Sequence, residues 1–237
     1  LRVIVRDHDD DEHVSSTEKN STCCLFVTDF PLESLRLPRN AIMPVGYDSL
    51  ELLSLSAGAN QSSGGRLLDL CCGCGIQGLF ALCCANRNIE DTNRWKELVA
   101  VDVNQRAIHF VTANISLNEI GSDAADIYAM CGNLYDPIRS ITEERPTKLY
   151  DRIVCNPPFV AVPGCQKSAQ LEPALYAVGG GADGMNVVRE ILSRCFEFLG
   201  DNDRCYLHMV TEIPNVESSC EFLASCLKEN ERATARV

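Results

Sequence analysis

Four consecutive residues, Asn-Pro-Pro-Phe at 156–159, combine an amide, two rigid residues and an aromatic ring directly behind an apolar segment. The residue before a proline is pushed into extended geometry, so the side chain of Asn156 is expected to point off the end of a strand. Pro157 has a carbonyl but no N–H. The Asn156 side-chain oxygen and the Pro157 carbonyl can therefore together accept both hydrogens of a planar amino group.

Two such acceptors would change the reactivity of the nitrogen that they hold. An amide or aromatic amine has a delocalised lone pair and is a poor nucleophile, whereas held hydrogens favour a pyramidal nitrogen. The acceptors also stabilise the charge that develops as this nitrogen attacks a methyl group. Phe159 can stack on a planar substrate, and its ring face suits a cation. The residues predicted to be catalytic are Asn156, Pro157, Pro158 and Phe159. The plain alternative is a proline-rich turn that closes a strand.

Glycine and aspartate residues follow two other apolar segments. Asp69 precedes Gly73, Gly75 and Gly78, which fit a G-x-G-x-x-G pattern ahead of a predicted helix. Glycines let the backbone approach a ligand closely, and a helix N-terminus offers free N–H groups. Asp102 is placed to accept hydrogen bonds from ribose hydroxyls. The glycine pattern alone also fits nicotinamide enzymes or a simple tight turn, and both alternatives stay open at this point.

Alternating strands and helices must position these residues. The predicted strands cover residues 66–71, 97–102, 125–130, 150–155 and 204–212, and the predicted helices cover 47–57, 76–85, 105–117, 185–199 and 216–227. Near-continuous apolar strands separated by helices predict an α/β fold with a mostly parallel, doubly wound sheet. Ligands of such sheets bind beyond the carboxyl ends of the strands.

The N-terminal part of the chain is expected to differ from the rest. Residues 1–5 and 23–29 are predicted to pair as a hairpin, joined by a polar linker that contains the acidic run "RDHDDDEH". The predicted organisation is therefore an N-terminal segment, residues 1–46, and a main domain, residues 47–237.

Composition restricts the partners and the compartment. The 237 residues carry a net charge of −12 without a visible basic patch, which argues against nucleic acid as a partner of this domain alone. No apolar run approaches the roughly 20 residues that a membrane span needs. The 14 cysteines include adjacent pairs inside apolar segments. They are interpreted as small buried hydrophobic residues of a cytoplasmic protein, and no metal site is expected.

The motifs, taken in order, resemble a known family. "LDLCCGCGIQGL" (68–79), "VAVDVN" (99–104), "GNLYDP" (132–137) and "NPPF" (156–159) resemble the class I S-adenosylmethionine-dependent methyltransferases. The resemblance is to the small-domain group with an N-P-P-[FY] motif, which includes release-factor glutamine N5-methyltransferases and N6-adenine and N2-guanine RNA methyltransferases. Residues 171–192 are similar to the segment that follows this motif in the glutamine enzymes.

The resemblance implies a Rossmann-like class I methyltransferase fold. The family's C-terminal antiparallel hairpin is missing or only begun at 232–237. We therefore expect a domain excised from a longer chain, with further domains of the same chain as partners.

The resemblance also implies roles for individual residues. It places S-adenosylmethionine against Tyr47, Asp69, Cys71, Gly73, Gly75, Ile76, Asp102, Val103, Asn133, Leu134 and Asn156. It places the methyl acceptor against Phe159, Glu172 and Pro173. Cys71 stands where the family usually has glycine, and Asn133 where it usually has aspartate.

The predicted function is methyl transfer from S-adenosylmethionine to a planar nitrogen, either a glutamine amide or an exocyclic base amine. The acidic composition favours an acceptor protein or a small molecule over RNA. A small-molecule N-, O- or S-methyltransferase is the nearest alternative. A nicotinamide-dependent oxidoreductase and an inactive cofactor-binding scaffold are alternatives from other classes.

Overall fold

The computed structural model of the chain contains a small N-terminal sheet and a larger central one. It describes residues 2–6, 21–29, 40–58, 65–85, 94–121, 125–139, 149–161, 177–202, 204–212, 215–228 and 234. In the small sheet, β1 (Arg2–Arg6) pairs with β2 (Ser21–Leu25) in antiparallel orientation. The two N-terminal strands pair as the sequence suggests, although the second covers Ser21–Leu25 instead of 23–29.

The central sheet consists of parallel strands connected by helices. Its strands are β3 (Arg66–Leu70), β4 (Glu97–Asp102), β5 (Asp126–Cys131), β6 (Arg152–Cys155) and β7 (Tyr206–Met209). The helices are α1 (Tyr47–Gly58), α2 (Ile76–Ala85), α3 (Gln105–Leu117), α4 (Asn186–Phe198) and α5 (Val216–Lys228). Each predicted strand and helix is present, and the parallel α/β architecture is confirmed.

The start of β6 differs from the sequence prediction by two residues. Tyr150 lies outside the strand and pairs with Leu199 in an isolated bridge. The Asp151 carboxylate accepts a hydrogen bond from the Arg66 backbone N–H at 2.8 Å. Regular pairing between β6 and β3 therefore begins only at Arg152.

The order of the strands creates one crevice at the carboxyl edge of the sheet. The order is β5-β4-β3-β6-β7, so the chain moves outward from β3 to β5 and then returns to the other side of β3. Ligands of doubly wound sheets bind where the order reverses, here between β3 and β6. The glycine-rich loop follows β3, and Asn156 follows β6.

Hydrophobic clusters cover both faces of the sheet because successive strand residues point to opposite sides. Leu67 and Val154 pack with residues of α2 and α3 on one face. Leu68 and Ile153 pack with residues of α4 on the other. Among the described helices, none is long and apolar enough to cross a membrane.

Two asparagines, Asn114 in α3 and Asn118 at its C-terminal cap, hold the N-terminal segment against the central domain. Asn114 accepts the Val27 N–H at 2.8 Å and donates to the Val27 carbonyl at 3.0 Å. Asn118 does the same for Leu25, at 2.8 and 2.7 Å. Residues four apart share one helix face, so the two amides bind the extended segment as a neighbouring strand would.

Candidate active site

The loop between β3 and α2 contains several residues with left-handed backbone. Cys71 has φ 55°, Gly73 has φ 53° and Gly75 has φ 79°. The left-handed conformation costs a residue with a Cβ roughly 1–2 kcal/mol. Cys71 bears this cost at a position where the family that it resembles usually has glycine. A Cβ added to Gly73 would meet no atom within 4 Å, whereas one added to Gly75 would lie 3.0 Å from Val111. Gly73 therefore presents bare backbone to open space, and Gly75 allows α3 to pack closely.

Asp102 ties the end of β4 to this loop. Its carboxylate accepts the Gly73 N–H at 2.9 Å and the Asn104 N–H at 2.8 Å. Burial raises the Asp102 pKa, while these two backbone hydrogen bonds oppose the shift. Each carboxylate oxygen has two lone pairs, so one on each oxygen is left to accept from a ligand hydroxyl.

Asp69 lies below the loop and is only 1% exposed. Its Oδ2 accepts the Gly78 N–H at 2.9 Å, whereas Oδ1 is buried without a hydrogen-bond partner among the described residues. Burial raises the Asp69 pKa to about 7, the nearby Asp102 adds to the shift and the Gly78 bond opposes it. A buried oxygen without a partner is expected where a ligand supplies the missing donor.

The Asn156 side chain has one fixed orientation. Its Nδ2 donates to Asp48 Oδ2 at 3.1 Å and to Ser49 Oγ at 3.2 Å. An ionised carboxylate only accepts, so the nitrogen of the amide must face Asp48. The oxygen, Oδ1, is buried and accepts no hydrogen bond from the part of the chain that the structure describes. At the end of β6, Asn156 therefore has one side-chain acceptor that no described residue uses.

The backbone after Asn156 rests on a second segment, residues 177–184. Val160 donates its N–H to the Ala177 carbonyl at 2.7 Å and accepts from Gly179 at 3.2 Å. A Cβ added to Gly184 would collide with the Phe159 carbonyl oxygen. Glycine at 184 therefore permits the close packing that supports the Asn-Pro-Pro-Phe tetrad. Within the tetrad, Pro157 is buried, and Pro158 and Phe159 are half-buried.

Two predicted cofactor contacts are large exposed side chains at the same edge of the sheet. Val103 directly follows Asp102 and is 73% exposed. Tyr47 is the first residue of α1, next to Asp48, and is 83% exposed. Both side chains have surface to offer an apolar ligand group, Val103 next to the end of β4 and Tyr47 next to Asp48.

The remaining predicted site residues lie in different surroundings. Ile76, the first residue of α2, and Leu134 are both buried. Asn133 is exposed, and its Nδ2 donates to Glu190 Oε1 at 3.5 Å. The predicted acceptor contacts Glu172 and Pro173 lie outside the described residues.

Sequence reasoning gave no site role to Asp48 or Ser49, although both contact Asn156. A signal for Ser49 was present in the sequence. Ser49, Leu52 and Leu53 have the i, i+3, i+4 spacing of one helix face, and all three are buried. A hydroxyl on the apolar face of a helix requires a hydrogen-bond partner, and Asn156 is that partner.

The described part of the chain has no group of three or more histidine, cysteine or acidic residues arranged to hold a metal ion. The polar groups at the carboxyl edge are instead two carboxylates, an amide and the free backbone of a glycine loop.

Comparison with known proteins identifies similar chains. Residues 51–172, just over half of the chain, match the family model of the methyltransferase small domain. The chain is 32% identical to ribosomal protein uL3 glutamine methyltransferase of Burkholderia pseudomallei over 162 residues, which cover 65% of this chain and 48% of that protein. It is 26% identical to release factor glutamine methyltransferase of Thermodesulfovibrio yellowstonii over 154 residues, 62% of this chain and 47% of that protein. The chain thus spans about half the length of these relatives.

The fold also matches a solved structure. SMU.776, crystallised in complex with S-adenosylhomocysteine, superposes with a TM-score of 0.50 at 14% identity, over 81% of this chain and 42% of that one. At this identity the likeness concerns the fold, and it agrees with the predicted Rossmann-like arrangement.

Proposed function

Since the chain belongs to the family of the methyltransferase small domain, we propose that its site transfers a methyl group from S-adenosylmethionine to the side-chain amide of a glutamine in a protein. The observation that carries this proposal is the buried Oδ1 of Asn156, which has no partner among the described residues while the other end of the amide is held in place. Such an oxygen is suited to accept an N–H of the acceptor amide.

The glycine loop and the two aspartates would hold the cofactor. Gly73 leaves open space above its backbone, and Asp102 has lone pairs left for the ribose hydroxyls. The unpartnered Asp69 Oδ1 suits a donor or positive charge of the methionine part, and Val103 would lie against the adenine. S-adenosylmethionine supplies an electrophilic methyl group on a positively charged sulfur.

Asn156 and Pro157 would then act on the acceptor. Asn156 Oδ1 and the Pro157 carbonyl accept the two hydrogens of the glutamine amide, which weakens delocalisation of the nitrogen lone pair and stabilises the developing positive charge. Because the amide nitrogen becomes acidic only after it gains the methyl group, its proton can leave afterwards without a strong base. Phe159 offers a half-buried ring for the planar amide to stack on.

A glutamine acceptor is favoured over the exocyclic amine of a base on two grounds. The curated relatives with the similarities given above are named as glutamine methyltransferases. The net charge of −12 also disfavours a nucleic acid substrate.

The free cysteines of the described residues, many of them buried, support a reducing compartment such as the cytoplasm.

The proposal is tested by incubating the 237-residue chain with tritiated S-adenosylmethionine and either purified ribosomal protein uL3 or a purified release factor. We expect label in one of the proteins and, after digestion, a peptide that carries N5-methylglutamine. The Asn156→Ala variant should lose on the order of 100-fold in kcat. Its affinity for S-adenosylhomocysteine should stay within about twofold, because the lost contact is to the acceptor. Label on neither protein, or only on a small molecule, would contradict the glutamine assignment.

A further inference from the structure

We infer that Asp48 and Ser49, in the first turn of α1, are positioning residues that keep the oxygen of the Asn156 amide turned toward the methyl acceptor. The inference rests on the proposed function and adds to it two residues that do not themselves touch the reacting atoms. The observation behind it is the pair of hydrogen bonds from Asn156 Nδ2, 3.1 Å to Asp48 Oδ2 and 3.2 Å to Ser49 Oγ.

The reaction needs this control because an asparagine side chain is nearly symmetric in shape. Rotating the amide by half a turn exchanges Oδ1 with Nδ2 at almost no steric cost. In the rotated form an NH₂ group would face the acceptor nitrogen, whose own hydrogens would then have no acceptor. Only a neighbour that tells oxygen from nitrogen can prevent this rotation.

Asp48 makes that distinction, and Ser49 alone cannot. An ionised carboxylate offers only acceptors, so it binds the amide nitrogen and rejects the amide oxygen. The Ser49 hydroxyl can donate or accept, and it would therefore bind either end of the amide. Its own burial and its place on the apolar face of α1 hold it against Asn156 in either case.

The Asp48 carboxylate is itself fixed in direction. Its Oδ1 accepts the Ser49 backbone N–H at 2.8 Å, which leaves Oδ2 aimed at Asn156. Replacing Asp48 by asparagine would keep the oxygen that faces this N–H and place an NH₂ group where Oδ2 now lies. Two NH₂ groups would then face each other, and Asn156 would turn its own oxygen toward residue 48.

The expected order of kcat among the Asp48 variants therefore differs from the order that a purely structural role predicts. We expect Asp48→Asn to lower kcat on the order of 100-fold, because it favours the wrong orientation, and Asp48→Ala only about 10-fold, because it favours neither. A purely structural role predicts the reverse, since asparagine keeps the local hydrogen bond and suits a helix start, whereas alanine does neither. Glu51 is an exposed carboxylate on the same helix. Its substitution, Glu51→Gln, is the matched control and should leave kcat unchanged.

The rates are measured with tritiated S-adenosylmethionine and purified uL3 or release factor, alongside calorimetric titration of S-adenosylhomocysteine. The affinity for S-adenosylhomocysteine should stay within about twofold in the Asp48 and Glu51 variants, which confines the effect to kcat. If Asp48→Asn is as active as Asp48→Ala or more active, the inference is wrong.

A second measurement does not depend on activity. In ¹⁵N-labelled protein, the Asn156 side-chain NH₂ signals, assigned by their loss in Asn156→Ala, should show nuclear Overhauser contacts to the Ser49 β protons. Asp48→Asn should remove or weaken those contacts, and their persistence there would overturn the inference. If the wild-type chain methylates neither acceptor, the proposed function fails, while these contacts still decide the orientation of the amide.

Discussion

Asp69 illustrates how burial at the site affects the stability of the fold. Its pKa is raised from 3.8 to about 7, mainly because the carboxylate is buried. Between these values the native state therefore binds more protons than the unfolded state, so the free energy of unfolding falls as the pH rises from about 4 to about 7. We expect this fall in the free energy of unfolding to be on the order of 2–4 kcal/mol smaller in Asp69→Asn than in the wild type.

Urea denaturation of both proteins at pH 5 and pH 8 measures this difference. The relevant quantity is the change in the free energy of unfolding between the two pH values, because the substitution also shifts stability at every pH. Asp126→Asn, which alters an exposed acid at the start of β5, is the control and should keep the wild-type change. Equal changes for wild type and Asp69→Asn would mean that Asp69 does not titrate in this window.

The sequence placed Asp69, Asp102 and Asn156 near the carboxyl ends of strands, and the structure has them there, Asp69 within β3, Asp102 at the end of β4 and Asn156 directly after β6. Their placement could be predicted because the carboxyl ends of parallel strands meet at one edge of the sheet, whereas their roles in binding and catalysis stay predictions. The site role of Asp48 could not be predicted in the same way. Its contact with Asn156 spans 108 residues, and no local pattern specifies which strand end a helix start will meet.

Helix α3 joins the N-terminal segment to the glycine loop through Asn114. The side chain is fully buried, binds both backbone groups of Val27, and also donates to the Cys74 carbonyl at 2.9 Å. Asn114→Ala leaves these buried backbone groups without partners, which should cost about 2–4 kcal/mol of unfolding free energy. It should also weaken the binding of S-adenosylhomocysteine several-fold, because the loop that carries Gly73 loses a support.

Asn118→Ala is the comparison for this prediction. Asn118 caps the C-terminal end of the same helix and binds both backbone groups of Leu25, but among the described residues its side chain has no hydrogen bond to the glycine loop. We expect a smaller loss of stability, about 1 kcal/mol, and unchanged affinity for S-adenosylhomocysteine. Urea denaturation and calorimetry of both variants test this. If the two variants bind S-adenosylhomocysteine with equal affinity, Asn114 does not support the cofactor loop.

Helices and strands of the central domain were predictable because their apolar residues repeat with clear periods. Helix α2 and strand β4 have the predicted bounds, and helix α3 does as well. The clamping of residues 24–29 onto α3 was not predicted. It depends on single asparagine side chains that meet backbone 87 and 93 residues away, and asparagine on a helix surface gives no sign of such a contact.

The molecule as a whole brings distant parts of the chain to one crevice. The reversal of strand order places the ends of β3 and β6 side by side, and the N-terminal segment reaches the same edge at the start of α3. Asn104 illustrates this, since it caps α3 with its side-chain oxygen and donates from its side-chain nitrogen to the Asn40 carbonyl at 2.9 Å. Changes in the N-terminal segment should therefore affect the site even where they do not touch a ligand.

The charge of the whole chain separates the two kinds of planar nitrogen that the site could accept. With 33 acidic and 21 basic residues, the chain repels a phosphate backbone, and it has few cations to exchange for condensed counterions. We expect no saturable binding of fluorescein-labelled single-stranded or duplex RNA at about 150 mM salt, with any Kd weaker than about 10⁻⁴ M. Fluorescence anisotropy across a salt series measures this.

Tight binding that weakens steeply with salt would reveal a basic surface that the composition does not suggest, and base amines would again be candidate acceptors. Absence of binding would restrict an RNA acceptor to one delivered by a separate, positively charged partner, since the chain alone could not concentrate it at Asn156.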